Sequence, residues 1–261
     1  ASGNELYLSI QKLLAEINDS HGTYELSVNG SDLRSLPLGL TITADGNYAV
    51  ESTRLKEIER GAVIKAVNGK SVPDIIEEFR PIIASSNENT LKRDVARRIF
   101  QTKEEEETVT IKVGSRSSKK KLRSGVYNMH EPAGRKGPED YELDAKNITY
   151  IDIGEISQEK LKELMSTHQN SKGLILDMRK YPKLYTKDIL EKFLYPKPTP
   201  YMWFSMNSKT YPGNYFLDIK GNVGPKENAN YFKGKIAILV NEGTQSFGEL
   251  SSIAYRVAPR S

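Results

Sequence analysis

Three short apolar runs in the second half of the chain constrain its fold more than any other feature: Ile148-Thr-Tyr-Ile-Asp-Ile153, Gly173-Leu-Ile-Leu-Asp-Met178 and Ile236-Ala-Ile-Leu239, the last extended by Val240. Runs of this length and branching read as buried strands. Helical apolar spacings separate or follow them, over residues 158–168, over 186–194, and at Leu250, Ile253, Ala254 and Val257. Alternating strands and helices predict a layered α/β domain with parallel strands. Between the second helix and the third strand, residues 195–233 are rich in Pro, Gly, Asn and aromatics. They are expected to form an irregular connection, with a substrate-binding flap as the other reading.

The third strand leads into Asn241-Glu-Gly-Thr-Gln-Ser-Phe-Gly-Glu249, where Gly243 breaks the strand before the helical spacing starts. Ser246 therefore sits between a buried strand and a helix. Hydroxyl nucleophiles are often held there, because helix-terminal amides can stabilise a developing oxyanion. Ser246-x-x-Glu249 is also the pattern of a capping box, the commoner use of a serine at a helix start. One residue can serve both purposes.

Upstream, Leu6, Ile10, Leu13, Leu14 and Ile17 make a helical stripe over residues 4–18, and Gly22 suits a helix C-terminal cap. A second unit follows over residues 31–123. It reads as strands at 37–42, 48–52 and 61–70, with an Asp45-Gly46 turn and an Asn68-Gly69 turn. Then come a short helix at 73–79, a basic amphipathic helix at 90–101 and a closing strand at 108–113. Arg116-Ser-Ser-Lys-Lys-Lys-Leu-Arg123 is expected to be a solvated loop or strand edge.

A chain of 261 residues with 37% hydrophobic and 28% charged content can bury two modest cores, which excludes wholesale disorder. The absence of cysteine excludes disulfides, thiol catalysis and cysteine-ligated metals. His21, His130 and His168 show no zinc-hydrolase spacing, so neither a metal nor another cofactor is expected. His130 reads as a loop residue and His168 as a helix-surface residue, neither with a role. A net charge of +4 on well-mixed charges gives no reason to expect nucleic acid. No apolar run has transmembrane length and no signal peptide is visible, so stable membrane insertion is not expected.

The middle unit resembles a PDZ domain. Leu38-Gly-Leu-Thr-Ile42 stands where that fold has its carboxylate-binding loop. Gly61-Ala-Val-Ile-Lys-Ala-Val-Asn-Gly69 is similar to its characteristic strand and turn, with Ala62 in place of the usual Asp. The resemblance implies that Leu38, Gly39 and Leu40 hold a peptide terminus while the peptide adds as a strand.

With that unit in place, the chain resembles the C-terminal processing peptidase family, which includes tail-specific proteases and the tricorn core protease. Asn18-Asp-Ser-His-Gly22, Gly173-Leu-Ile-Leu-Asp-Met-Arg-Lys-Tyr-Pro182 and Val240-Asn-Glu-Gly-Thr-Gln-Ser-Phe-Gly-Glu249 carry the resemblance in the family's order. It implies a multi-domain α/β protein. An N-terminal helical segment at 1–30 and a PDZ-like β-rich domain at 31–125 would precede a ClpP/crotonase-like layered α/β serine peptidase core at 126–261. That core is expected to be truncated at its C-terminal end, and residues 1–261 alone to be inactive.

The implied function is cleavage of unfolded or C-terminal polypeptide segments, with the PDZ unit capturing or gating them. Ser246 would be the nucleophile, and the Phe247 amide one oxyanion donor. A second donor would lie near Lys183, in a stretch, Lys180-Tyr-Pro-Lys-Leu184, that lacks the family's glycine pair. For the base, many relatives use a lysine at a position that here falls beyond Ser261. The tricorn branch uses a histidine preceded by a serine, matched by Ser20-His21, with Ser20 orienting the ring. Asp177 would either mark the site or pair structurally with Arg179 or a neighbouring strand. Glu249 would cap the helix and support the turn. A catalytically inactive peptide-binding protein on the same scaffold is the alternative. The family's setting is exported, in the bacterial periplasm or at the cell surface; oligomeric state is left open.

Overall fold

The computed structural model describes residues 3–22, 34–113, 115–125, 142–143 and 147–261; His130 lies outside them. The chain divides into two compact units, Ala1–Arg135 and Lys136–Ser261.

In the first unit, helix α1 (Gly3–Glu16) packs on a 3-10 turn at Arg80–Ile82, with Gln11 buried and Tyr7 and Leu14 half-buried. The helix does not end on Gly22. The chain reverses instead at Asn18, which takes a left-handed conformation at φ 55°. Asparagine tolerates that region because its short side chain bonds locally, so a glycine is not required.

Strands β1 (Leu38–Ile42), β2 (Tyr48–Thr53), β3 (Val63–Val67), β4 (Lys70–Ser71), β5 (Glu106–Val113) and β6 (Arg116–Arg123) form an antiparallel sheet in the order β1-β2-β3-β5-β6, with β4 paired to β3. The β3–β4 hairpin turns at Asn68 and Gly69, at φ 50° and 82°, the two left-handed residues that a tight hairpin needs. Helix α2 (Val72–Phe79) starts on a Ser71 cap, and α3 (Glu88–Ala96) on a reciprocal box between Asn87 and Thr90. Helix α3 ends earlier than the basic pattern to residue 101 suggests, and tightens into turns through Arg98 and Ile99. One sheet face buries Tyr48, Val50, Ile64, Val109, Ile111 and Leu122 with Val72, Ile76, Leu91 and Val95. The stretch from Arg116 is a strand edge rather than a loop.

In the second unit, β7 (Glu142–Leu143), β8 (Ile148–Asp152), β9 (Gly173–Asp177) and β12 (Lys235–Leu239) make a sheet in the order β12-β9-β8-β7, with β8, β9 and β12 parallel. Helices α4 (Gln158–Thr167), α5 (Tyr185–Leu194) and α6 (Phe247–Arg256) complete the unit. Ile151, Leu174, Leu176 and Ile236 bury against Leu161, Leu164, Ile189, Leu190 and Ala254; full burial of each contributes about 1.5–3 kcal/mol.

The expected irregular connection is instead a long two-stranded ribbon, β10 (Thr199–Asn207) with β11 (Tyr215–Val223). Pro200 sits at the strand start and Gly213 in the turn, while Gly221 lies within β11 opposite Met202, beside a register shift between Pro200 and Met202. Beyond the ribbon, Gly224 turns the chain at φ +101°, and a Cβ there would lie 2.6 Å from Tyr195 Cβ and 2.9 Å from the Lys197 carbonyl oxygen. Gly224→Ala is expected to destabilise the protein by about 2 kcal/mol or more in urea unfolding. Gly213→Ala has the same sign of φ and open space around it, and should cost about 1 kcal/mol.

Candidate active site

The carboxyl ends of β8, β9 and β12 converge on a set of loops tied to one another by hydrogen bonds. Past β9, the Met178 N–H donates to the Leu239 carbonyl at 2.8 Å, and Thr244 Oγ1 donates to the Met178 carbonyl at 2.9 Å. Asn241 closes the turn after β12: its N–H donates to Thr244 Oγ1 at 3.1 Å, and its Oδ1 accepts from the Gly243 N–H at 2.9 Å. Gly243 runs close under β9, where a Cβ would be 3.1 Å from the Arg179 carbonyl oxygen.

This framework delivers Ser246 to the start of α6 at φ 56°, ψ −117°. That is the first central position of a type II′ turn, a region that belongs to glycine. For serine it stores on the order of 1–3 kcal/mol of strain. The other side-chain caps of the chain sit on ordinary extended backbone: Ser71 at −65°, 152°; Asn87 at −165°, 172°; Ser157 at −80°, 159°. Capping therefore does not account for the conformation of Ser246. Glu249 does act as expected, its Oε2 accepting the Ser246 N–H at 2.8 Å.

The amide of Phe247 is the first of α6 and among those a helix leaves without an internal partner. The segment after β9 passes beside it: a Cβ on Gly248 would lie 3.6 Å from Pro182 Cδ. The other expected oxyanion donor, the Lys183 amide, donates to the Ile153 carbonyl over a long 3.4 Å. It is free for another acceptor only if that bond opens.

Two carboxylates end the strands, and both are neutralised locally. Asp177 accepts from Arg179 Nε at 2.9 Å, Arg179 Nη2 at 2.5 Å and the Tyr150 hydroxyl at 2.6 Å. Burial raises its pKa, but the hydrogen bonds from Arg179 and Tyr150 outweigh burial and hold it at about 2. Asp177 is thus half of a structural pair. Asp152 holds Lys180 Nζ at 2.9 Å and the Gly154 N–H at 3.1 Å, while Glu155 takes Lys180 Nζ at 3.0 Å. Burial works against the Lys180 charge, but Asp152 and Glu155 more than offset it and its pKa is raised. Lys180 is accordingly a poor neutral base.

Ser20 and His21 belong to the first unit. Ser20 is buried; its N–H donates to Ser86 Oγ at 3.0 Å and its Oγ accepts from Ser86 Oγ at 3.1 Å. The ring of His21 is held by Asp19. Nδ1 lies 3.0 Å from Asp19 Oδ1, which also accepts the His21 N–H at 2.9 Å. Those hydrogen bonds from the His21 amide and ring lower the Asp19 pKa. A carboxylate on Nδ1 leaves Nε2 as the ring's proton acceptor. Asp19 was not singled out from sequence, although the Asp-x-His spacing is the signal that could have found it. Leu38, Gly39 and Leu40 lie on edge strand β1, which has a register shift between Gly39 and Leu40 and pairs only with β2 among the described residues. His168 follows α4 as its C-terminal cap.

The sequence matches no protein-family model and no curated protein. Among solved structures the chain is similar to a serine-to-alanine mutant of CPAF, with a TM-score of 0.66 at 12% identity, covering 96% of this chain and 72% of that one. Mature CPAF matches with a TM-score of 0.58 at 12% identity, covering 87% and 67%, and its complex with lactacystin at 0.58 and 11%, covering 87% and 68%. CPAF is a chlamydial serine protease. At these identities the likeness is one of fold: the chain has a mixed α/β fold similar to that of CPAF. Among the described residues, no helix is long and apolar enough to cross a membrane.

The Asp177 carboxylate makes a pH prediction. Its folded pKa of about 2 lies below the ordinary 3.8. Its contribution, up to about 2 kcal/mol, is therefore present above pH 4 and lost as pH falls from about 4 toward 2. Asp177→Asn should remove most of that stability at pH 7 and flatten the acid limb of a urea midpoint against pH curve.

Proposed function

We propose that the protein is a serine-type peptidase of the C-terminal processing kind, acting on unfolded or C-terminal polypeptide segments. The observation that carries the proposal is the backbone of Ser246, strained where three unstrained caps show that strain is not needed. Such strain concentrates where a nucleophile must be lifted out of a strand-to-helix turn. The likeness in fold to CPAF supports the same reading.

In this mechanism Ser246 Oγ attacks the peptide carbonyl carbon, and the Phe247 amide donates to the oxygen as it becomes negative. The Lys183 amide is the proposed second donor. His21, held by Asp19 through Nδ1, takes the serine proton on Nε2 and later returns it to the leaving amine. A lysine beyond Ser261 is the other candidate base. Ser20 is assigned to packing beneath His21, given its bonds to Ser86. Leu38, Gly39 and Leu40 are proposed to hold the captured peptide in a PDZ-like manner, and an exported bacterial setting belongs to the same reading. The engagement of Lys183 with Ile153 favours the second reading, a peptide-binding protein without turnover.

Fluorophosphonate labelling of the intact protein separates the two. The peptidase reading expects labelling that Ser246→Ala abolishes and that His21→Ala and Asp19→Asn each slow, by about 100-fold and 10-fold. Unlabelled wild-type protein would leave the binding reading. Full labelling in His21→Ala would move the base to the lysine. The strain has its own measurement. Ser246→Gly should raise stability in urea by about 1 kcal/mol, as relief of strain requires. A simple cap would instead lose a few tenths.

A further inference from the structure

The basic strand β6 takes no part in the chemistry above, yet its geometry is that of a binding edge. Its eight residues pair with β5 from Val113↔Arg116 to Glu106↔Arg123 without a register shift. Among the described residues β6 pairs with nothing else. About half of its backbone N–H and C=O groups therefore point away from β5 into an open position. Register puts Lys119, Lys121 and Arg123 on one face, opposite Thr110, Thr108 and Glu106. All three are exposed. Among the described residues, Lys121 has an ion pair, with Glu106, and Lys119 and Arg123 have none.

Lysines also guard sheet edges against pairing with other copies. One or two suffice for that, and the opposite edge of the same sheet, β1, carries no charge at all. Five cations in eight residues go beyond a guard. A long, regular, cationic edge rejects copies of itself and selects acidic strands. The geometry also decides against nucleic acid. Residues 102–125 contain no aromatic side chain on which a base could stack, whereas an open ladder is matched by another polypeptide backbone.

We propose that the free edge of β6 accepts an acidic, extended polypeptide segment as a further strand, with carboxylates at alternate positions facing Lys119, Lys121 and Arg123. Directly opposed residues of paired strands lie about 5 Å apart at Cβ, so acids two residues apart in the segment meet cations two residues apart in β6. The selected pattern is acid-x-acid-x-acid, and a run of acids places half of them on the wrong face.

The test uses the intact protein carrying Ser246→Ala, so that turnover plays no part and the result stands whether or not the peptidase reading does. A fluorescein-labelled (Glu-Thr)4 peptide is titrated by fluorescence anisotropy at low ionic strength, where screening is weak. A peptide with four consecutive Glu followed by four Thr provides equal charge. The alternating peptide should bind at least tenfold tighter than the block peptide. Lys119→Glu with Arg123→Glu should weaken it at least tenfold, and Lys119→Arg with Arg123→Lys should leave it within twofold. Circular dichroism of the Glu variant confirms that its sheet is intact. N-methylation of alternate residues in the peptide should abolish binding on one strand register, because the ladder loses its donors. Equal affinity for the block peptide or for oligothymidylate would overturn the proposal in favour of simple polyanion attraction. So would the absence of saturable binding.

Discussion

The hydrogen-bonded junction between the ends of β9 and β12 holds the rest of the second unit's site in place. Met178 donates to Leu239, Thr244 donates back to Met178, and Asn241 closes on Gly243. The parallel ladder is thereby carried past the last paired residues into the turn. Further along, α6 is fastened into the core by Ala254 and Tyr255, and the hydroxyl of Tyr195 donates to the Ala254 carbonyl. The turn is fixed at both ends. A strained residue persists only when its surroundings over-determine it, and Ser246 sits between these two anchors.

The same convergence of strand ends sets the electrostatics. Parallel strands deliver Asp152 and Asp177 side by side, since the two are register partners. Both are buried, so each requires a partner. Lys180 and Arg179, consecutive in sequence, supply them. The consequence for chemistry is subtractive. Asp177 is held ionised at about 2 and Lys180 is held charged, so neither is poised to exchange a proton near neutrality.

Much of this was legible in the sequence, because burial on both faces writes itself as continuous apolar runs. β8 and β9 read directly, as did the Asn68-Gly69 turn, where two left-handed positions leave few residue choices. The run from Ile236 is a strand too, but among the described residues β12 is a sheet edge, with Ala237, Leu239 and Val240 exposed where burial was expected. The ribbon β10–β11 did not. Trp203, Phe204 and Met206 are all exposed, so no alternation marks a buried face, and the punctuating Pro and Gly read as loop. Asn18 in place of Gly22, and the contact of Asp19 with His21, escaped for a related reason. Each depends on a side chain bonding one or two residues away, which leaves no periodic trace.

Ser246 is where sequence and structure carry different information. The letters Ser-x-x-Glu describe a cap and a nucleophile turn equally well, and Glu249 does close on the Ser246 amide. A helix that needed only that cap would be satisfied at φ near −80°, as α4 is on Ser157. The extra strain at Ser246 gains nothing for the helix. It matters for the direction of the side chain, because rotating φ to positive values swings Cβ away from the path an ordinary cap follows.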